Sequence, residues 1–141
     1  MTEAIQRIRN YMTRTVVTIT PDLSVADAAD RMRTNTIRHL PVVQQGKLVG
    51  LIAERDLALI DGLSERKRDK IQVRQLMRIH PFMCGPDDSL IDVVRVMIEH
   101  KLGSVIVVEQ GVPVGVFTTI DAMRRLVELA QLMELMGSVD E

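Results

Sequence analysis

The sequence predicts a mixed α/β fold of the α+β type, built from two copies of one unit in the order strand, helix, strand, strand, helix. Two observations carry this prediction. The sequence repeats itself at a spacing of 65 residues, and each copy alternates short β-branched runs with stretches of apolar residues at helical spacing. The chain of 141 residues is long enough for two such units.

The repeat aligns residues 12–60 with residues 77–125 without a gap. Thirteen of the 49 aligned pairs are identical, against about 3 expected from average residue usage. Most of the other pairs exchange one apolar residue for another. The identities include Met12 with Met77, Pro21 with Pro86, Ser24 with Ser89, Gly46 with Gly111, Gly50 with Gly115 and Asp56 with Asp121.

The secondary-structure elements of the first copy follow from the residues that begin and end them. Residues 15–19 are all β-branched, and they predict a strand that ends before Pro21. Ser24 predicts the N-cap of a helix whose apolar residues recur at helical spacing. Two apolar runs flank Gln45-Gly46, which predicts a β-hairpin, and a second helix begins near Glu54.

These elements divide the chain into a first unit at 10–62, a linker at 63–74, a second unit at 75–128 and a C-terminal helical extension at 129–141. The mixed charges of residues 64–70 predict a solvated connector. A copy of about 50 residues is too small to build a stable core alone. We therefore expect the two halves to share one core about a pseudo-twofold axis.

The composition excludes several functions. A net charge of −1 does not favour a nucleic-acid backbone, and no apolar run is long enough for a bilayer. A single cysteine, Cys84, allows no internal disulfide and indicates the cytoplasm; its alignment with Ile19 predicts a buried structural thiol. The three histidines show no metal-ligand spacing. No catalytic motif is present, so we expect no enzyme and no metal site.

Several short runs of the sequence resemble those of a known domain family. The runs 21–25, 37–43 and 50–56, together with the second copy ending at residues 115–121, are similar to the CBS domain. The resemblance covers about residues 10–128. It implies a paired module of two sheets flanked by helices, usually dimeric, with two nucleotide clefts between the repeats. It also implies regulation of an enzyme or transporter.

The candidate ligand site centres on Thr118, Thr119 and Asp121, where a strand passes into a helix. Free N–H groups at a helix N-terminus suit a phosphate, and a carboxylate one turn in can accept hydrogen bonds from both ribose hydroxyls. The same residues also fit a capping box, in which Thr118 and Asp121 satisfy the first backbone N–H groups of the helix.

The resemblance implies that the acid of one repeat works with the strand-start residues of the other. Carried over, Asp121 and Thr118 join residues of the first copy: Thr18, Thr20, Arg38, His39 and Pro41. The second cleft receives Asp56 and Ser104 with Ala53 and Gly103, without a cation, and we expect it to be weaker. Arg38 could instead cover the sheet surface, and His39 could be a core-edge imidazole.

The segment from Leu126 to Met136 is apolar nearly all round, whereas a surface helix needs only one apolar stripe. We expect a partner to cover it and predict a homodimer. The N-terminal Ile5, Ile8 and Met12 could supply part of the cover.

The sequence thus predicts a regulatory module that binds an adenine nucleotide or adenosyl ligand of the AMP, ADP or ATP class and needs no cofactor. The alternative is a structural dimerisation or adaptor module whose clefts stay empty.

Overall fold

The structure is a computed structural model that describes residues 6–140, with side chains described up to Gly137. Ile5 therefore lies outside the described residues. The first copy contains α1 (Val25–Asn35), β1 (His39–Gln44), β2 (Lys47–Ala53) and α2 (Glu54–Leu57). Two short helices follow, α3 (Glu65–Arg68) and α4 (Val73–Leu76). The second copy contains β3 (Met83–Cys84), α5 (Leu90–His100), β4 (Ser104–Glu109), β5 (Val112–Thr118) and α6 (Thr119–Asp140).

The predicted helix caps and hairpins are confirmed. Ser24 and Asp27 form a capping box at the start of α1, and the Ser89 side chain caps α5 by accepting a hydrogen bond from the Asp92 N–H. Both hairpins are antiparallel, β1 with β2 and β4 with β5. Gln45 and Gly46 both have positive φ, at 53° and 78°, which is the backbone of a two-residue type I′ turn. Each hairpin also has one β-bulge, at equivalent positions.

The predicted strand at residues 15–19 is not formed as a regular strand. Only Ile19 makes a bridge, parallel to Val42 of β1. The carbonyl of Thr18 accepts a hydrogen bond from Arg31 Nη1 of α1 at 2.6 Å and is therefore not part of a strand ladder. The equivalent segment of the second copy forms the two-residue strand β3, parallel to β4.

The two copies exchange the segments that precede them. Residues 7–13 hydrogen-bond to the second copy: the Ile8 N–H donates to the Asp88 carbonyl, and Thr13 bridges Val116 of β5. Residues 72–78 repeat these contacts in the first copy, where Val73 N–H donates to Leu23 and Arg78 bridges Leu51 of β2. Each half of the chain therefore completes the other.

The core is double rather than shared, which corrects the expectation of one common core. The first cluster contains Val25, Leu40, Ile52 and also Val73, which comes from the segment before the second copy. The second cluster contains Val93, Val107 and Phe117 and also Ile8, which comes from the segment before the first copy. Exchange of segments thus gives each half enough apolar surface for its own core.

The linker is partly solvated, as predicted. Residues 64–67 are exposed and form most of α3, whereas Leu63 and Ile71 pack against the first core. The C-terminal helix α6 is the longest element, at 22 residues. Beyond Leu129 its described side chains are exposed, so this half of the helix projects away from the rest of the chain.

Candidate functional site

Each repeat places one buried carboxylate in the first turn of the helix that follows its hairpin, α2 in the first copy and α6 in the second. Asp121 is 6% exposed and Asp56 is 8% exposed, although both are near the surface where the two copies meet. A buried carboxylate must be hydrogen-bonded, so its partners define the chemistry of each position.

Asp121 is held by threonines. Its Oδ2 accepts hydrogen bonds from the Thr118 N–H at 2.9 Å and from Thr118 Oγ1 at 3.1 Å, and the Asp121 N–H donates to Thr118 Oγ1 at 3.2 Å. This is the capping box that was the alternative interpretation of these residues. Thr13, from the segment exchanged between copies, donates to both carboxylate oxygens at 3.2 and 3.3 Å.

Asp56 is held by a backbone amide and an arginine. Its Oδ2 accepts a hydrogen bond from the Ala53 N–H at 2.8 Å. Ala53 has no side-chain oxygen, so only this half of a capping box can form. Arg78 Nε donates to Oδ1 at 3.2 Å. Arg78 is the repeat equivalent of Thr13, so the exchanged segment supplies the partner in both cases but supplies a guanidinium in only one.

A cavity of about 160 Å³ lies between the copies beside Asp56. Its basic lining residues come from both copies: His39, Arg55, Arg78 and His80. Ala53, Gly103 and Ser104 complete the wall nearest the hairpins. A wider groove of about 850 Å³ adjoins it, and the two share His39, Ala53, Arg55 and Gly103.

The resemblance implied that Arg38 and His39 work with Asp121, and the contacts described for both residues are with neighbours of Asp56. His39 lies among the charges of Asp56, Arg55 and Arg78, and its pKa is lowered by burial first and then by Arg55. Arg38 lines the wider groove, and its exposed side chain pairs with Glu54 at 3.7 Å. The charged side of the hairpin therefore belongs with Asp56, because β1 and β2 run side by side and place His39 opposite Ala53.

Four other predicted site residues are engaged elsewhere. The Thr18 carbonyl is bound by Arg31, and a hydrogen bond from the Thr20 side chain lowers the pKa of the exposed Asp22. Pro41 is buried within β1, where its carbonyl accepts from the Ile19 N–H. Thr119 is exposed, and its N–H donates to the carbonyl of Gly103.

The cleft predicted to be weaker is the one that the structure equips with cations. Ser104 and Gly103 line the cavity together with Ala53, and Asp56 is hydrogen-bonded to the Ala53 N–H. Sequence reasoning missed Arg55, Arg78 and His80. The signal was present in the repeat alignment, where Thr13 aligns with Arg78 and Thr15 aligns with His80.

Among the described residues, no three potential metal ligands lie together. Within the same part of the chain, no helix is both long and apolar enough to cross a bilayer. Cys84 is half-buried and unpaired with another cysteine, and burial raises the pKa of its thiol to about 12.

Comparison with known proteins agrees with this architecture. The CBS domain profile matches residues 8–60 and 73–128. Inosine-5′-monophosphate dehydrogenase of Korarchaeum cryptofilum is 30% identical over 126 residues, which are 89% of this chain but only 25% of that enzyme. The chain thus spans a quarter of the length of that relative.

Two solved structures are similar over nearly the whole chain. A Vibrio cholerae protein described as an acetoin utilization protein (AcuB) has a TM-score of 0.81 and 27% identity, covering 92% of this chain and 96% of that chain. The CBS domain pair of protein MJ0100, solved with 5′-methylthioadenosine and S-adenosyl-L-methionine, has a TM-score of 0.77 and 25% identity, covering 88% and 98%. This chain belongs to the CBS domain family and contains the domain twice, as a tandem pair.

Proposed function

We propose that this chain is a regulatory module that binds an adenosyl ligand in the clefts between its two CBS repeats. Binding would change the arrangement of the repeats and so act on an associated enzyme or transporter. The proposal requires no catalytic residue, because a ligand shifts a conformational equilibrium whenever it binds one arrangement better than another.

The observation that carries the proposal is the pair of buried carboxylates at the junction of the copies. Asp56 and Asp121 occupy equivalent helix starts, and each is approached by a side chain from the other half of the chain. A carboxylate of this kind can accept hydrogen bonds from the two hydroxyls of a ribose. A ligand that takes over these hydrogen bonds would compete with Thr13 or Arg78, and would thereby loosen or tighten the contact between the halves.

The relatives support the adenosyl class. The CBS domain pair of MJ0100 holds two adenosyl compounds and is 25% identical to this chain over most of its length. The dehydrogenase relative contains a region similar to this chain as one quarter of a larger enzyme. Both facts favour a ligand-binding module that regulates, and neither assigns a reaction to this chain.

A thermal-shift panel tests the proposal. AMP, ADP, ATP, 5′-methylthioadenosine and S-adenosyl-L-methionine are each added to the purified protein, with GMP as the control for the base. A ligand that binds the native state raises the melting temperature in proportion to the logarithm of its concentration once that exceeds Kd. We expect at least one adenosyl compound to do so and GMP to have a smaller effect.

Asp56→Ala and Asp121→Ala locate the response. The matched control is Asp30→Ala, because Asp30 is exposed and pairs only with Arg33 of the same helix in the contacts described. A lost charge-assisted hydrogen bond weakens binding by about 1–3 kcal/mol. An adaptor module with empty clefts, the alternative function, predicts no ligand-induced shift with any compound, either in the wild type or in any of the three variants.

We further propose that the module works as a homodimer in which a second copy covers α6. Beyond Arg125, six large apolar residues of this helix are at least 50% exposed: Leu126, Val127, Leu132, Met133, Leu135 and Met136. They are spread around the helix, and no described segment of this chain covers them. Leu126, Leu129, Met133 and Met136 also recur at intervals of three and four residues, the spacing by which two identical helices pack along one seam.

The proposal also covers the symmetry of the dimer and the cellular compartment of the protein. Two copies that pair through the same helix form a closed twofold assembly. The unpaired thiol of Cys84 suits the reducing cytoplasm, where we place the protein.

A further inference from the structure

The two clefts of this chain have opposite electrostatic character, although the repeat relates them. The cavity beside Asp56 is lined by Arg55, Arg78, His39 and His80. Moving each of these positions by 65 residues, forwards or backwards, gives an uncharged residue. The equivalents are Ile120 for Arg55, Thr13 for Arg78, Ser104 for His39 and Thr15 for His80, and Gly103 stands for Arg38. Ser104 and Gly103 themselves line the Asp56 cavity, so the contrast between the clefts rests on Ile120, Thr13 and Thr15; in the opposite direction, the cavity residue Ile79 aligns with Arg14. The net loss of cations indicates two different ligands rather than one site that has decayed.

The cleft at Asp56 is suited to an anion. Arg78 uses Nε for its bond to Asp56, and the guanidinium carries four further N–H donors on its two Nη atoms. Arg55 lines both the cavity and the adjoining groove. Two arginines against one carboxylate leave a positive charge in a recess between the copies, and a planar guanidinium can hold phosphate through two hydrogen bonds.

The cleft at Asp121 is suited to an uncharged part of a ligand. The carboxylate is approached by the hydroxyls of Thr13 and Thr118 and by the Thr118 N–H. The nearest cation is Arg124, which pairs with Oδ1 at 3.6 Å and whose side chain is 68% exposed. Hydroxyl groups and a carboxylate can bind a ribose diol. A carboxylate repels a phosphate, and the solvent-exposed Arg124 offsets that repulsion less than two arginines lining a recess would.

We propose, building on the proposed function, that the two clefts take different classes of adenosyl ligand. The Asp56 cleft binds an adenosine phosphate through Arg55 and Arg78. The Asp121 cleft binds an adenosine derivative that has no phosphate, such as a thioether. The chain is thus a sensor of two ligands, and both can be bound at the same time.

Calorimetric titration of the full chain with AMP and with 5′-methylthioadenosine tests the proposal. Each compound should bind with one site per chain, and 5′-methylthioadenosine should still bind when AMP is saturating. AMP binding should weaken as salt increases, because it depends on exposed charges, whereas binding of the thioether should change little.

Variants assign the compounds to the clefts. Arg55→Gln and Arg78→Gln should each lower the affinity for AMP at least tenfold and leave that for 5′-methylthioadenosine within twofold. Thr13→Val should do the opposite. Arg74→Gln is the matched control, because Arg74 is an exposed arginine in the same exchanged segment as Arg78. Arg55→Gln removes no contact to a carboxylate described here and keeps the test valid if Arg78→Gln unfolds.

The outcomes separate this inference from the proposed function. If the two compounds compete for one site, or if Arg55→Gln and Thr13→Val weaken both compounds alike, ligands bind but the division between clefts is wrong. If no adenosyl compound binds, the proposed function fails, and this inference fails with it.

Discussion

Arg78 donates through Nε to Oδ1 of Asp56 at 3.2 Å, although the two residues belong to different copies of the repeat. The equivalent contact in the other cleft joins Thr13 to Asp121. One exchanged segment therefore brings a cation to its carboxylate and the other brings a hydroxyl. This difference determines what each cleft can bind, and the same segments hold the two halves together.

Binding of AMP should depend on pH through His39. Its pKa lies below the ordinary value because of burial, Arg55, Arg38 and Arg78, which outweigh Asp56. A bound phosphate favours the imidazolium and raises this pKa, so affinity for AMP should rise as pH falls from 7.5 towards 5.5. Over this pH range the affinity of the wild type for AMP should increase by a factor about five to ten times larger than that of His39→Gln. Equal slopes in calorimetry would show that His39 does not face the phosphate; the titration of AMP itself affects both proteins equally.

Alanine at Gly50 should destabilise the protein more than alanine at Gly115. A Cβ on Gly50 would lie 2.8 Å from Met77 Sδ and 2.9 Å from the Arg78 carbonyl, which is backbone. A Cβ on Gly115 would meet only the flexible side chain of Met12 within 3.1 Å. Overpacking typically costs about 1–3 kcal/mol, and we expect Gly50→Ala near the upper end.

Urea denaturation measures these changes in the free energy of unfolding. Gly62→Ala is the control, since nothing lies within 4 Å of its added Cβ. Because the Gly50 clash displaces Arg78, the same variant should also weaken AMP binding. Equal stability of Gly50→Ala and Gly62→Ala would mean that the exchanged segment is not held against β2.

Removal of the chain after Arg125 should convert the dimer into a monomer. Full burial of one large apolar side chain contributes roughly 1.5–3 kcal/mol, so the six exposed residues of α6 can offset the entropy cost of association. Light scattering at micromolar concentration measures the mass of both forms. A monomeric full chain, or a truncated form that dimerises equally well, would contradict this role of α6.

Alkylation of Cys84 should be slow in the native protein. Burial raises the pKa of the thiol to about 12, so at pH 8 the reactive thiolate is a minor species. Iodoacetamide should modify the unfolded chain at least tenfold faster, because an exposed thiol has a pKa near 8.5. Equal rates measured by mass spectrometry would show that the thiol is accessible in the folded state.

The sequence was sufficient to predict the repeat, the hairpins and the helix caps, because each depends on local chemistry such as Ser24 or Gln45-Gly46. It was not sufficient to predict that Ile8 and Val73 would cross into the opposite cores. Segment exchange depends on contacts between residues far apart in the sequence, such as Ile8 with Asp88 and Val73 with Leu23, which leave no local pattern. The same crossing places Arg78 beside Asp56 and so adds a cation to the cleft that was predicted to be weaker.

The central claim is that an adenosyl ligand binds at the junction of the two copies. Calorimetry of the double variant Asp56→Ala with Asp121→Ala decides this, in parallel with Asp30→Ala and the wild type. We predict that the wild type and Asp30→Ala bind AMP or 5′-methylthioadenosine alike, whereas a folded double variant loses most of its affinity for both, by at least tenfold. Unchanged affinity in the folded double variant, or no binding by the wild type, would contradict the account.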